Sequence, residues 1–573
     1  MKYPNINDDD FYKKINRIYK KYKISSKKKT FDQICNPKKY ELQLRQKFVA
    51  EFMNPNTPYT GILIYHKIGA GKTCAAIRIC EKFKKHKKIV IVLPASLKGS
   101  FRSELLSQCT GETYIKNKER ELLKQYHPTS SEYEKIIDKA NERINRYYKI
   151  YSYNKFIEHV QNNEIRLNNH LLVIDEIQNM ISEEGTYYTE LLKLIKTSPS
   201  NLRLVLLSAT PMFDKPNELG LTINLLRPPR LLPIGKDFDK KFIKTRKIKN
   251  SYKLSIKNIE SFKRAIRGRI SYFRGAPSYV FPELKIKYIK CEMSSFQYSS
   301  YKAILKNEEK NNNKIKKKVN KTLNVSELPN NFFMGTRYVS NIVFPNKLIG
   351  LDGLESLTKY KILHNLQMYS TKFFTMINKI KHSSGKIFIY SSFKEFGGLK
   401  GFTYVLDAYG YKDYSSHGEG YKRYALWTGD ENIAYKDEIK TIYNLDNNIN
   451  GSKLKIILGS SSIKEGINFK SVKQVHIIEP YWNKPRLDQV IGRASRFCSH
   501  KDLELDKRIV KVYIYLATYK NIETVDEYIY KLSMKKNELV NQFEKIIKQG
   551  AIDCYLNKNA NVSDDDSSYT CDK

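Results

Sequence analysis

The sequence predicts an α/β protein with two doubly wound parallel-sheet domains and a mainly helical insertion between them. Three observations predict it. Short apolar runs rich in β-branched residues or Leu alternate with longer charged stretches over residues 41–230, and again over 381–520. A strand buried on both faces reads this way, and helical-length spacers supply the crossovers between such strands. The rhythm lapses over 231–380, and 573 residues are too many for one ordinary domain.

Taken in order, residues 1–40 are polar and basic, with Lys27, Lys28 and Lys29 in a row, and predict a partly ordered N-terminal arm. In the first domain the predicted strands are Gly61–Tyr65, Lys88–Leu93, His170–Ile174 and Asn201–Leu207. Within the helical or irregular insertion, Lys306–Lys321 is Lys- and Asn-rich and reads as a loop or exposed helix end. The second domain offers strands at Lys386–Tyr390, Leu454–Leu458, Val475–Ile478 and Val510–Tyr515. In the last stretch, 521–573, Thr524–Lys548 reads as a helix and Ser563–Ser568 as a disordered acidic tail.

Lys and Arg number 102 against 59 Asp and Glu, a formal net charge of +43. Such an excess concentrates and steers polyanions, of which nucleic acid is the foremost. The abundance of Lys, Tyr, Ile and Asn is also what an AT-rich genome gives, so charge alone does not decide the function. The eight cysteines show no C-x-x-C spacing, which argues against zinc. Their sparseness suits a reducing, intracellular compartment. No apolar run is long enough to cross a membrane, and the N-terminus lacks the apolar stretch of a secretory signal.

The clearest chemical signal is His66-Lys67-Ile68-Gly69-Ala70-Gly71-Lys72-Thr73, between a predicted strand and a predicted helix. That context belongs to a phosphate-binding loop. Gly69, Ala70 and Gly71 bring backbone N–H groups to phosphate oxygens, and the helix N-terminus adds positive potential. Lys72 suits the β- and γ-phosphates of ATP, and the Thr73 hydroxyl suits Mg²⁺. His66 departs from the pattern, which usually begins with glycine.

Downstream, Leu172-Val173-Ile174 ends in Asp175 and Glu176. Asp175 is suited to hold Mg²⁺, and Glu176 to orient and deprotonate an attacking water. Ser208-Ala209-Thr210-Pro211 follows another buried strand, where Ser208 and Thr210 are candidates to couple the nucleotide site to a moving interface. An ordinary strand-end turn looks the same. In the second domain Gln489-Val490-Ile491-Gly492-Arg493-Ala494-Ser495-Arg496 places two arginines three apart, on one face of a helix. Arg493 and Arg496 are candidates to stabilise charge on a transferring phosphoryl group, with Gln489 beside them. A solvated basic face is the plain alternative; the glycine, glutamine and preceding strand weigh against it.

In this order and domain placement, the segments resemble superfamily 2 helicases and translocases. The resemblance covers roughly residues 40–230 and 380–520. It implies that both domains are RecA-like. It also implies that Gln46, in Leu44-Arg45-Gln46, reads adenine. Ser462-Ile463-Lys464-Glu465-Gly466-Ile467-Asn468 resembles the segment that touches nucleic acid and nucleotide, which makes Gly466 a candidate. Gln178 stands where the named box families carry Asp or His, which argues against a typical RNA helicase of either class. Three further segments are similar in style to the helicase-like ATPases of large cytoplasmic DNA viruses. They are Thr57–Leu63, Gly268–Gly275 and Glu479-Pro480-Tyr481-Trp482-Asn483. That family includes the poxvirus nucleoside triphosphate phosphohydrolase and the small subunit of the early transcription factor.

The resemblance therefore implies an ATP- and Mg²⁺-dependent hydrolase moving on nucleic acid, with DNA favoured and RNA possible. It implies a part in viral transcription initiation or termination beside a viral polymerase or transcription-factor subunit. The expected location is the host cytoplasm and the virion, with no membrane partner. Tyr153, Phe393 and Trp482 are candidates to line the nucleic-acid path, although each residue type is more often core or surface. An ATP-dependent RNA helicase shares every catalytic residue. A non-enzymatic scaffold does not need Lys72, Glu176 and both arginines together, and a small-molecule P-loop kinase needs no second domain.

Overall fold

The computed structural model describes residues 3–27, 29–67, 69–127, 130–248, 251–311, 333–464, 467–562 and 569–572. The chain divides into two compact units, Met1–Pro277 with Glu538–Lys573, and Ser278–Asn537.

In the first unit, strands β1 (Gly61–His66), β2 (Lys88–Leu93), β3 (Tyr148–Ser152), β4 (His170–Ile174) and β5 (Arg203–Ser208) lie in one sheet. The hairpin strands β6 (Ile243–Ile248) and β7 (Ser251–Ile256) pair antiparallel with each other, and β8 (Ile270–Phe273) returns to the sheet. The sheet order is β3-β2-β4-β5-β1-β8, every neighbour parallel. All six residues of β1 are buried, as a central parallel strand requires. Each fully buried Ile or Leu side chain there stabilises the fold by about 1.5–3 kcal/mol. The helix Lys72–Phe83 follows β1 and buries Ala75, Ala76, Ile79 and Cys80 on one side of the sheet.

The second unit contributes β9 (Glu283–Glu292), β10 (Lys386–Tyr390), β11 (Lys412–Asp413), β12 (Arg423–Trp427), β13 (Ile456–Gly459), β14 (Val472–Ile477) and β15 (Ile509–Thr518). Their order is β11-β12-β13-β10-β14-β15-β9, again parallel throughout. Two parallel-sheet domains are thus present, as the apolar runs predict.

Several borders differ from expectation. The N-terminal arm is part of the first unit's core: the helix Phe11–Ile18 buries Phe11, Tyr12 and Ile15 against Phe52 and Tyr59. Those apolar residues, continued by Tyr19, recur at helical spacing, but the surrounding lysines dominate the composition. The insertion is shared out. Residues to Pro277 supply β6–β8 to the first unit, and β9 forms an edge of the second sheet. Leu284, Ile286 and Tyr288 alternate with Lys285 and Lys287 along β9 and are exposed. Charged residues on an edge strand discourage further pairing, and they blur its apolar signal. The helix Ser295–Asn311 covers the start of the Lys- and Asn-rich stretch; its continuation lies outside the described residues, as does the acidic segment 563–568.

The expected C-terminal helix is Val525–Gln549. Among the described residues no helix is long and apolar enough to cross a membrane. Cys74 is bonded to Cys109 and Cys554 to Cys571, pairings that the spacing in the sequence does not announce. Separations of 35 and 17 residues carry no local signature, and only the fold brings these sulfurs together.

Candidate active site

The first unit's site grows from three strand ends. Beyond β1 the chain turns through Gly69 and Gly71, both left-handed at φ +78° and +68°. Glycine is needed at Gly71 for a second reason: a Cβ there would lie 2.5 Å from Gln46 Nε2. Gln46 is buried and braces the loop, its Nε2 donating to Gly71 O (3.2 Å) and its Oε1 accepting from Gln43 N (2.9 Å). Arg45, which sequence reasoning passed over, donates from Nε to Ala70 O (2.9 Å) and stacks its guanidinium 4.1 Å from the Phe273 ring. Its position beside Gln46 was the available signal.

Lys72 opens the helix, and Thr73 follows in its first turn. The Lys72 ammonium donates to Glu176 Oε1 (2.7 Å) and lies 3.5 Å from Asp175 Oδ1. Burial opposes that positive charge, but Glu176 and Asp175 outweigh it and hold Lys72 above its ordinary pKa. Burial raises the Asp175 pKa, against the pull of Lys72. Asp175 is almost wholly buried at the end of β4, a site suited to a cation. Glu176 has φ +50°, a left-handed backbone costing on the order of 1–3 kcal/mol in a non-glycine residue. Tyr153 fixes that backbone by donating its hydroxyl to Asp175 O (2.5 Å) and Glu176 O (3.0 Å).

From Glu176 a hydrogen-bonded chain runs to the end of β5. Gln178 Nε2 donates to Glu176 Oε2 (2.5 Å), Ser208 Oγ donates to Gln178 Oε1 (2.7 Å), and Thr210 N donates to Ser208 Oγ (2.9 Å). Gln178 appears in the sequence only as a departure from pattern; in the fold it joins two of the predicted segments.

In the second unit, Asn483 caps the helix Lys484–Ala494 by accepting from Arg486 N (3.1 Å). Gln489 and Arg493 lie in this helix, and Arg493 Nη1 donates to Ile467 O (3.4 Å). The helix ends at Ala494, with Ser495 as its C-cap. Arg496 is therefore outside it, and the two arginines do not share a helical face. Gly466 lies outside the described residues. Two aromatic candidates are core residues: Tyr153 holds the acid pair's backbone, and Trp482 packs with Met293, Val339 and Ile529. Phe393, partly exposed, packs edge-on against Tyr338.

Parallel sheets, a glycine loop leading into a lysine-headed helix, and an acid pair on that lysine together define a P-loop nucleotide hydrolase. Residues 44–341 match the SNF2-related domain, and residues 371–498 the helicase conserved C-terminal domain. A putative ATP-dependent RNA helicase of Acanthamoeba polyphaga mimivirus is 49% identical over 100% of this chain and 99% of its own length. A second mimivirus protein with the same kind of name is 28% identical over 98% of this chain, which spans 60% of that longer protein. The termination factor NPH-I homologue of African swine fever virus is 26% identical over 87% of this chain and 76% of its own. Among solved structures, the Sulfolobus solfataricus SWI2/SNF2 ATPase core in complex with dsDNA matches at 18% identity and TM-score 0.31, over 89% of this chain and 95% of that one. The chain belongs to the SNF2-related helicase family of ATP hydrolases, in its viral branch.

Proposed function

We propose that the chain is a nucleic-acid-dependent ATPase that couples hydrolysis to movement along DNA during viral transcription, at initiation or termination. The observation that carries it is the hydrogen-bonded chain from Lys72 through Glu176 and Gln178 to Ser208 and Thr210. It ties the hydrolytic carboxylate to a segment remote in sequence, as a motor needs and a simple phosphatase does not. The transcriptional reading is supported by the relatives named as termination factors.

In this reading Lys72 binds the β- and γ-phosphates, and the loop N–H groups of Gly69, Ala70 and Gly71 cradle them. Thr73 and Asp175 hold Mg²⁺, which supplies charge neutralisation when bound. The buried Asp175 carboxylate beside the loop fits that ion. Glu176 takes a proton from the attacking water, and Gln178 keeps its carboxylate turned. Gln46 retains one amide hydrogen and one lone pair for the adenine edge. Arg493 and Arg496, with Gln489 nearby in sequence and Gly466 in the preceding motif, contribute to the nucleotide-bound closed state. The excess of 43 positive charges supports phosphate contacts that are sequence-independent and weaken with salt. The partners in this proposal are a polynucleotide and a viral polymerase or transcription-factor subunit, in the infected host cell's cytoplasm and in the virion.

The second reading, an ATP-dependent RNA helicase, is favoured by the printed name of the 49% identical relative. Steady-state ATPase activity with single-stranded DNA, duplex DNA or RNA separates the two, with Glu176→Gln as the blank. Stimulation by DNA over RNA supports the translocase. Stimulation by RNA moves the chain to the RNA helicases, and hydrolysis indifferent to all three overturns the motor reading of the isolated chain.

A further inference from the structure

Three consecutive residues lead into the phosphate loop: Tyr65, His66 and Lys67. Each is held by the far end of the chain. Glu544 accepts a hydrogen bond from the Tyr65 hydroxyl and an ion pair from Lys67 (3.3 Å). Asp553 reaches His66 through one intermediary. Ser271 Oγ donates to Asp553 Oδ2 (2.6 Å), so its only hydrogen is spent there, and its oxygen is left to accept from His66 Nε2 (2.8 Å). That order fixes the imidazole as the Nε2–H tautomer.

Each carboxylate also has partners on its own segment, and Glu544 lies 3.7 Å from Lys548 Nζ. Glu544 lies on the helix Val525–Gln549 with its side chain 15% exposed. Asp553 precedes the helix Cys554–Asn561, yet its side chain does not cap that helix. It is fully buried and also accepts from Tyr272 N (2.9 Å) and Asn557 Nδ2 (2.9 Å). The surrounding segment follows β8, the strand beside β1: Ile552 N donates to Ile270 O (2.9 Å), and Arg274 N donates to Asn561 Oδ1 (2.8 Å). His66 is itself fully buried, and its Nδ1 has no hydrogen-bond partner among the described residues. Its ring stands where the loop pattern has a glycine, so it must be fixed for the loop to keep its course.

We propose that Glu544 and Asp553 are positioning residues for the phosphate loop, gripping Tyr65-His66-Lys67 so that ATP affinity depends on the C-terminal segment 538–573. The inference rests on the ATP-binding reading of residues 66–73 and not on which polynucleotide is the track. Burial and the neighbouring charges of Arg45 and Lys72 keep His66 neutral, which suits the donor–acceptor order above.

The test uses the full chain. Glu544→Gln keeps an acceptor for Tyr65 but removes the charge facing Lys67. Ser271→Ala cuts the path from Asp553 to His66, and Ser271→Thr restores the hydroxyl. Two readouts are taken: amide hydrogen exchange of the peptide spanning residues 65–73, and KM against kcat for ATP. The expected result is faster exchange in that peptide for Glu544→Gln and Ser271→Ala. KM should rise about five- to tenfold, the scale of one or two lost hydrogen bonds, with kcat little changed. Ser271→Thr should return to parent values. Exchange and KM unchanged in both variants, or a loss that only follows a fall in Tm and is not rescued by Ser271→Thr, overturns the proposal. If the parent binds no ATP, the nucleotide reading fails, and the exchange arm still decides whether the carboxylates hold the loop.

Discussion

Ser208 donates its hydroxyl to Gln178 Oε1 at 2.7 Å, and the same glutamine donates to Glu176 Oε2 at 2.5 Å. An amide is suited to this place because it carries an acceptor and a donor at once. An Asp or Glu there would set a negative charge against Glu176. In a double-mutant cycle, Gln178→Ala and Ser208→Ala should show a coupling of about 0.5–3 kcal/mol in kcat for ATP. Strictly additive losses would mean that the chain of hydrogen bonds transmits nothing.

Removing the ammonium and removing the base should have different signatures. Lys72→Ala should abolish hydrolysis through lost phosphate binding, seen as loss of ATP binding in calorimetry. Glu176→Gln should retain ATP while turnover falls by about 10²–10⁴. Turnover at the parent rate would withdraw the general-base role.

Arg493→Ala should lower kcat more than it weakens ATP binding, since a contact made mainly in the transition state leaves ground-state affinity alone. Equilibrium binding and single-turnover hydrolysis, measured side by side, check this. A matched fall in both would make Arg493 a ground-state binding group.

Breaking a buried ion pair in the second unit by removing one partner should be costly. Lys372 and Asp526 are both 0% exposed and 2.6 Å apart, and Asp526 also accepts from Ala517 N (2.8 Å). Lys372→Met leaves the Asp526 carboxylate buried without its cation and should destabilise by about 3–5 kcal/mol. The midpoint of denaturant unfolding reads this directly, and a midpoint near the parent's would show that water reaches the pair.

Glu218 gives a pH dependence of definite sign. Burial raises its pKa to about 7, although Phe213 N (2.5 Å) and Asp214 N (2.9 Å) donate to it. The folded state therefore binds the proton more tightly than the unfolded chain. The associated stability is fully present below the unfolded value near 4.5 and is lost as pH rises through about 7. Glu218→Gln should accordingly raise Tm at pH 8 relative to the parent and leave it nearly unchanged at pH 4. An equal shift at both pH values would assign the effect to packing.

How much of this could be read in the sequence follows from how local each signal is. The central strands were legible because burial on both faces writes an unbroken apolar run, as in Gly61–His66. Lys72, Asp175 and Glu176 were legible because each follows such a strand directly, and the fold brings all three within ion-pair distance. Gln178 was visible only as an oddity, because its partners lie on two different strand ends. The roles of Glu544 and Asp553 left no local trace: their contacts span hundreds of residues. Tyr153 misled because a buried tyrosine holding a carbonyl and an exposed one stacking a base are the same letter. Arg496 misled because the helix stops two residues before it, at a cap that a periodicity argument does not see.

The first unit is assembled from the beginning and the end of the sequence, with the whole second unit emerging between them. During synthesis, residues 278–537 are made before Glu544 and Asp553. The nucleotide loop therefore waits, its shoulder ungripped, until translation has passed residue 553. A chain cut short of residue 538 lacks both carboxylates together with the core residues Phe543, Ile547 and Ile552, so truncation there should weaken ATP binding and the first unit's packing at once, while the second unit keeps all its residues.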